Sequence, residues 1–267
     1  MPTVTIDDKP IEARLGETIL QVARRAGVWI PTLCHHEALS SSASCRICVV
    51  EIDRGGWWQV VTSCNYPVRG DLTVRVNSER AIRGRRGVMQ LLLARCPESK
   101  ELRKLARRMG VDGTPYPKVT EAQRNCILCG LCVRVCEERI GASAISNAGR
   151  GVERAIAAPF RMPSDDCIGC GACAAICPVG TITVRTHEKE VEISPFKSRA
   201  SLVRCSECGC PVGSELVKQA LADRGGPKLV EILARRPICP QCKREKLAKE
   251  LTVAVPSGNR GTSVRTT

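Results

Sequence analysis

Aromatic residues are almost missing: among 267 positions there are three Trp, two Tyr and two Phe, the last being Phe160 and Phe196. A core without large rings is compensated most simply by covalent or metal cross-links. No stretch approaches the roughly 18 apolar residues needed to span a bilayer, which excludes a transmembrane helix. The opening MPTVTIDDKPIEARLG lacks a basic segment followed by an apolar run, so it does not read as a secretory signal. Neither G-x-G-x-x-G after a strand nor a G-x4-G-K-S/T loop is found, so no nucleotide pocket is visible. Histidine is confined to His35, His36 and His187, which leaves little for acid–base chemistry. Acidic residues are also outnumbered, 27 against 41 Lys and Arg, for a net charge of +14.

Cysteine is what the chain has in excess, with 18 copies. A reducing cytosol disfavours disulfides, so grouped cysteines there are metal or redox sites. The basic charge crowds Arg80–Arg108, where ten Lys or Arg stand against two Glu. Such a face suits nucleic acid, an anionic membrane or an acidic protein partner, or is simply a solvated helical surface.

The order of signals predicts an α+β chain. Residues 1–78 read as a small β-rich domain, with TVTIDD and PIEAR as short strands and CVVEI, WWQVV and LTVRV as later ones. Gly55-Gly56 supplies a hairpin turn. Between them GETILQVARRAG reads as a helix whose stripe is Ile19, Leu20, Val22, Ala23 and Ala26, capped by Gly27. Residues 79–119 form a helical linker: Met89, Leu92, Leu93, Leu102 and Leu105 give a buried side, Pro97 separates two helices, and GVDGTPYPKV is a Gly/Pro-rich connection. Residues 120–190 hold an internal repeat, residues 200–251 a further cysteine segment, and 252–267 a polar tail read as disordered.

The repeat is CILCGLCVRVC and CIGCGACAAICP. Cys126, Cys129, Cys132 and Cys136 follow the spacing C-x2-C-x2-C-x3-C, and so do Cys167, Cys170, Cys173 and Cys177. That is the signature of a bacterial two-[4Fe-4S] ferredoxin domain, in which the first three cysteines reach one cubane and the fourth, on the following helix, ligates the other. Cys126, Cys129, Cys132 and Cys177 are therefore the ligand set of the first cubane, and Cys136, Cys167, Cys170 and Cys173 that of the second. Gly130, Gly169, Gly171 and Ala172 leave room for backbone N–H groups to face cluster sulfurs. Zinc gives no reason for a crossed, duplicated arrangement.

Near the start, Cys34, Cys45, Cys48 and Cys64 are separated by ten, two and fifteen residues. A loop with three thiolates closed by a fourth from a strand end can enclose a [2Fe-2S] rhomb. The competing reading is a structural zinc site. His35 and His36 are adjacent, which does not match a Rieske pattern, and with four cysteines sufficing they read as exposed loop residues. In the last segment Cys205, Cys208, Cys239 and Cys242 form two C-x2-C knuckles, the arrangement of a zinc ribbon. The extra Cys210 keeps a further iron–sulfur cluster open there. Cys96 and Cys210 are left as spares and read as inert thiols.

The long first interval of the N-terminal cysteines, on a strand–strand–helix (β-grasp) order, resembles the [2Fe-2S] domain of the large iron–sulfur subunit of complex I. It is similar also to diaphorase small subunits and to multimeric iron-only hydrogenase subunits. The CEERIG…GRG run after the first cysteine quartet, without its proline, resembles the same group, and the likeness covers roughly residues 1–190. It implies an iron–sulfur electron-transfer subunit of a multi-subunit oxidoreductase, without an evident catalytic site of its own. The implied partners are a flavin- and NAD(H)-binding subunit and a further redox subunit, such as a hydrogenase, a formate dehydrogenase, a heterodisulfide-reductase-like module or a quinone site. The implied cofactors are one [2Fe-2S] and two [4Fe-4S] clusters, with zinc or a third [4Fe-4S] cluster at the C-terminal cysteines. Such relatives usually carry another cluster, held by one His and three Cys, between the halves; here residues 79–115 contain Cys96 and no histidine, so that cluster is expected to be absent. The expected location is cytoplasmic, compatible with a peripheral membrane-associated complex. Two other readings are a redox-sensing nucleic-acid-binding protein and a free-standing ferredoxin. The first is weakened by the scarcity of aromatics for base stacking, and no nucleic-acid partner is expected.

Overall fold

The computed structural model describes residues 1–119 and 125–254. The tail assigned to 252–267 lies, from residue 255 on, outside them. The chain divides into two compact units: Met1–Cys167 with Gly171–Arg185 and Glu192–Ser198, and a second made of Ile168–Cys170, Thr186–Val191 and the chain from Arg199 on.

The first unit opens with β1 (Thr3–Ile6), β2 (Lys9–Glu12), α1 (Ile19–Arg25), β3 (Val49–Asp53), β4 (Trp58–Thr62) and β5 (Leu72–Arg75). The sheet order is β2-β1-β5-β3-β4, with β1 and β5 parallel and the other neighbours antiparallel. This is the β-grasp order, with the two strands furthest apart in sequence paired at the centre. Alternation sets the faces: Val4 and Ile6 point into the core while Thr3 lies outward. Asp7 and Asp8, both at positive φ, make the tight turn between β1 and β2. The Asp7 carboxylate then accepts from the Val76 N–H at 2.8 Å, fixing the end of β5.

Helix α1 begins with a capping box, in which the Thr18 hydroxyl accepts from the Gln21 N–H and the Gln21 side chain accepts from the Thr18 N–H. Ile19, Leu20, Val22 and Ala23 are fully buried, whereas Ala26, expected on the same stripe, is the exposed C-cap. The helix is only seven residues long, so its apolar face ends a turn before the chain leaves at Gly27. The largest fully buried side chains are all aliphatic apart from Met89, including Ile6, Leu20, Ile52 and Val50. Each stabilises by roughly 1.5–3 kcal/mol on burial.

Two helices follow, α2 (Glu79–Arg95, capped by Ser78) and α3 (Lys100–Arg108, capped by Ser99), on either side of Pro97 as expected. Not all of the basic face is free surface: Arg85 is buried and donates to the Val49 carbonyl at 2.8 Å. Beyond the connection come α4 (Leu131–Arg134), running into a π-turn over Val135–Ile140, then the paired β6 (Ser146–Ala148) and β7 (Ala155–Ala157), and α5 (Ala172–Ala175).

The remaining elements are β8 (Thr183–Thr186), β9 (Glu190–Ser194), β10 (Ser198–Arg204), β11 (Pro211–Ser214), α6 (Glu215–Arg224), α7 (Pro227–Ala234) and α8 (Pro240–Ala254). β9 alternates, burying Val191 and Ile193, a signal that sequence reasoning missed, whereas β8 is exposed at every position and β10 and β11 carry no clear two-residue apolar period. In the second unit β10 and β11 pair antiparallel, Leu202 opposite Ser214, and the Ser214 hydroxyl both caps α6 and donates to the Ile168 carbonyl at 2.5 Å. Gly169, expected to make room for a cluster, is required here by packing as well: a Cβ there would stand 2.7 Å from Ala200 and 2.9 Å from Val191.

Candidate metal centres

The N-terminal cysteines arrive from three places: Cys34 from the loop after α1, Cys45 and Cys48 from the turn leading into β3, and Cys64 from the end of β4. All four are buried, with 1%, 7%, 1% and 1% of their surfaces exposed, so only a small group could join them. Their sulfurs form one hydrogen-bonded chain. The Cys34 thiol is held far below the usual range, first by hydrogen bonding from Cys45 and then from Cys64. Cys48 is brought down to about 6, chiefly by Cys64. Cys45 and Cys64, the corresponding donors, are pushed up. The Cys45 N–H also donates to Cys34 Sγ at 3.5 Å. Four thiols sharing protons in a buried pocket are a donor set that suits ferric or ferrous iron, which replaces those protons with cationic charge.

His35 lies beside this set and is not the exposed residue expected: both its ring nitrogens are buried without a hydrogen-bond partner, and burial lowers its pKa. It is not one of the four thiols' hydrogen-bonding partners.

In the ferredoxin-like region Cys126, Cys129, Cys132 and Cys177 line one cavity of about 110 Å³, with Arg95 and Pro178 on its wall. That is several times the roughly 30 Å³ share of a water molecule, so it admits a group of several atoms. The crossed set expected from the spacing is thus brought to one place, Cys177 together with the first three. Gly130, at φ +70°, turns the loop just before α4 and leaves open space where a side chain would stand. Burial is the main influence on all three loop thiols: it raises Cys126, brings Cys129 up to about 11, and raises Cys132 further, each also opposed by the negative charge of its neighbours. Such thiols ionise readily only with a cation among them, which fits iron. Arg95, part of the basic stretch, donates to the Cys126 carbonyl at 2.5 Å and so helps hold this loop.

Of the second set, Cys136 lies half-buried on the π-turn, Cys167 and Cys173 are half-buried, and Cys170, in the second unit, is exposed. Their grouping rests on spacing alone. Cys177, expected on the helix following its loop, falls just after the end of α5, whose C-cap is Ile176. Cys173 is close enough to Cys132 for its charge to raise that thiol.

Sequence spacing gave no hint of the residues that join the N-terminal loop to the first ferredoxin-like loop. Arg134, at the end of α4, donates through Nη2 to the Cys34 carbonyl at 2.8 Å and to the Cys129 carbonyl at 3.4 Å, and through Nη1 to the Ser40 carbonyl. One turn on, Glu138 accepts from the Ser40 N–H at 2.8 Å and from its hydroxyl, and Arg139 donates to the Ala38 carbonyl. The signal available was the i, i+4 placement of Arg134 and Glu138, which says nothing of a partner about a hundred residues away. Both loops also share one apolar cluster containing Cys34, Ile47, Met89, Leu93, Leu102, Cys129 and Val179. Cys96 is fully buried in that cluster, and burial pushes its thiol up to about 12, which makes it inert.

In the second unit the sulfurs of Cys205, Cys208, Cys210 and Cys239 all lie within 4.8 Å of one another. The fourth member is Cys210, which the spacing leaves as a spare, where Cys242 was expected. Hydrogen bonding with Cys208 and then Cys239 raises Cys210 to about 12, and backbone donors lower Cys205 to about 6.

Residues 1–79 match a 2Fe-2S iron-sulfur cluster binding domain and residues 120–184 a 4Fe-4S dicluster domain. The NADP-reducing hydrogenase subunit HndD of Solidesulfovibrio fructosivorans is 34% identical over 220 residues, which are 72% of this chain and 37% of that protein. The NADPH-Fe(3+) oxidoreductase subunit alpha of Geobacter sulfurreducens is 31% identical over 79% of this chain and 27% of its own. The chain thus spans well under half the length of these curated relatives. Among solved structures, a chain of an NAD+-reducing [NiFe]-hydrogenase in the H2-reduced state superposes with a TM-score of 0.50 at 32% identity, covering 59% of this chain and 74% of that one. No helix among the described residues is long and apolar enough to cross a membrane. With a 2Fe-2S and a 4Fe-4S dicluster domain both matched and a solved relative at 32% identity covered over 74% of its length, the chain belongs to the iron–sulfur subunit family represented by these hydrogenase and NADPH-linked oxidoreductase subunits.

Proposed function

We propose that this chain is an electron-transfer subunit of a multi-subunit oxidoreductase, carrying single electrons between a flavin- and NAD(H)-binding partner and another redox module. Cys34, Cys45, Cys48 and Cys64 would hold a [2Fe-2S] cluster; Cys126, Cys129, Cys132 and Cys177 a first [4Fe-4S] cluster; Cys136, Cys167, Cys170 and Cys173 a second. When bound, such clusters take up and release one electron at a time.

The chain's own work is positional. The observation that carries the reading is Arg134, one guanidinium shared between the carbonyls of Cys34 and Cys129. It ties a ligand loop of the N-terminal site to a ligand loop of the first ferredoxin-like site, with apolar packing behind both. In this family a further cluster with one His and three Cys commonly lies between the two halves. Here the two loops are joined through Arg134, and residues 79–115, which have no histidine, contain α2, α3 and a buried Cys96. The N-terminal site would then pass electrons directly to the first cubane or stand on a side branch, and the Arg134 contact favours the direct path. The same contacts count against a free sensor, whose task needs one reporting cluster and no second site held beside it.

The test is anaerobic purification of the native assembly, with identification of the subunits that travel with this chain and an iron count after full reconstitution. About ten iron atoms per chain, with paramagnetic signals of one [2Fe-2S] and two interacting [4Fe-4S] centres, are expected. Iron well below that after full reconstitution, or a chain that travels alone and reduces soluble acceptors unaided, would overturn the reading.

A further inference from the structure

From Arg199 on, the second unit gathers five cysteines, and their geometry differs in kind from that of the cluster sites. Among the described residues, Cys205, Cys208, Cys210 and Cys239 are the one group of three or more His, Cys, Asp or Glu ligands whose donor atoms all lie within 4.8 Å. The Cys208 and Cys239 sulfurs are 3.8 Å apart. A single zinc ion with Zn–S bonds of about 2.3 Å in a tetrahedron requires thiolates separated by about 3.8 Å along each edge. A cubane places each ligand on its own iron, outside a body that already contains eight atoms, so its thiolates stand farther apart. The cysteines lining the cavity at Cys126 are spread around a void in that way; these are not.

The backbone is arranged for thiolates as well. The Cys239 N–H donates to Cys205 Sγ at 3.2 Å and the Cys242 N–H to Cys239 Sγ at 3.4 Å. N–H donors to ligand sulfur disperse thiolate charge and orient the ligands. The first knuckle is closed on itself by the Cys205 N–H to the Cys210 carbonyl at 2.8 Å, which brings Cys210 back over the site, and Gly209 at φ +72° allows that turn. The Ser206 N–H, donating to the Pro237 carbonyl at 2.8 Å, joins the first knuckle to the second.

The unit also has little else to hold it. Helices α6 and α7 bury no residue, and Cys205 and Cys239 are themselves among the few side chains of this unit less than 6% exposed. A segment of this size cannot fold on so small an apolar core without a staple.

The Cys242 thiol also stands close, hydrogen-bonding with Cys208, Cys239 and Cys205, but its sulfur is not in the 4.8 Å group. We infer that Cys205, Cys208, Cys210 and Cys239 hold one thiophilic divalent ion of the zinc class in tetrahedral coordination, not a third cubane, and that Cys242 serves as the donor of an N–H to Cys239 and not as a ligand. This assignment stands apart from the electron-transfer reading, and its failure leaves that reading untouched.

The full-length chain, with its clusters assembled under anaerobic conditions, is analysed for metals and then exchanged with cobalt(II). One zinc per chain in addition to iron is expected, and the cobalt form should show the visible bands of a tetrahedral tetrathiolate. Competition with a chromophoric chelator should show that C210S weakens zinc binding by more than about 100-fold, beyond the roughly 10–100-fold cost of losing an outer partner. C242S should weaken it by less than about threefold, because its backbone N–H remains. Should C210S be degraded, C210H resolves the matter: retained cobalt with a changed charge-transfer spectrum supports Cys210 as ligand, and an unchanged spectrum refutes it. The inference is also overturned if C242S releases the ion while C210S keeps it, if a third reducible cubane signal disappears with C205S, or if the intact chain takes up neither zinc nor cobalt.

Discussion

The N-terminal sheet and the C-terminal unit solve the same problem by opposite means. The first closes a five-stranded sheet over α1 with a continuous aliphatic core, in which Val4, Ile6, Leu20, Val22, Val50, Ile52 and Val74 have no exposed surface. The second has two helices with no buried residue and exposes Leu221, Val230 and Ile232, while its sulfurs crowd together. Where area removed from water is large, a cluster can be added to a fold that already stands. Where it is small, a bound ion would be part of the fold.

The contrast is broken most severely by Cys239→Ser. Structural zinc contributes on the order of 10 kcal/mol or more in small thiolate modules, so the variant should lose hydrogen-exchange protection throughout α6–α8 while β1–β5 keep theirs. Retained protection in the C-terminal helices would mean that their fold does not depend on a metal. The matching lesion in the other region is Ile52→Ala, which leaves a cavity at a fully buried site paired opposite Gln59 and Val74. A loss of about 2–5 kcal/mol is expected, read as a lowered denaturation midpoint. A cost below about 1 kcal/mol would show that the aliphatic core is not what holds this sheet.

A smaller effect is expected from Arg134→Ala, which removes a charged donor from the Cys34, Ser40 and Cys129 carbonyls at once. About 1.5–3 kcal/mol is expected, together with altered magnetic interaction between the N-terminal centre and the first cubane in the reconstituted chain. Arg134→Lys should recover only part of it, because an ammonium lacks the fork that reaches both loops. An unchanged spectrum in Arg134→Ala would separate the two sites and remove the main support for a direct path. Least affected should be Leu221→Ala on α6, within about 0.5 kcal/mol, since that side chain is already 45% exposed. A large loss there would reveal that the face is covered in the assembly.

Much of this was legible in one dimension. The strand–strand–helix opening, the break at Pro97 and the connection after Gly110 were readable because apolar period, proline and glycine act over a few residues. Of the strands after residue 183 only β9 carries a readable alternation, in Val191 and Ile193; pairing rather than composition makes the others strands. Ala26 fell outside the core because α1 is too short to carry the stripe to its end. For the cysteines, spacing within a loop limits which sulfurs can share a centre, so the quartets at 34–64 and 126–177 could be proposed from their intervals. It could not choose between Cys210 and Cys242, because both lie within reach of Cys208 along the chain or across the knuckle.

The amino-acid sequence alone determined the family and the kinds of centre to expect, because iron–sulfur ligation demands fixed cysteine intervals that few other functions impose. Only the tertiary structure decided which distant groups meet. It put Arg134 on the Cys34 and Cys129 loops and Cys210 among the tight C-terminal thiols. Such meetings depend on the folded path of the backbone between them, and no local interval encodes that path.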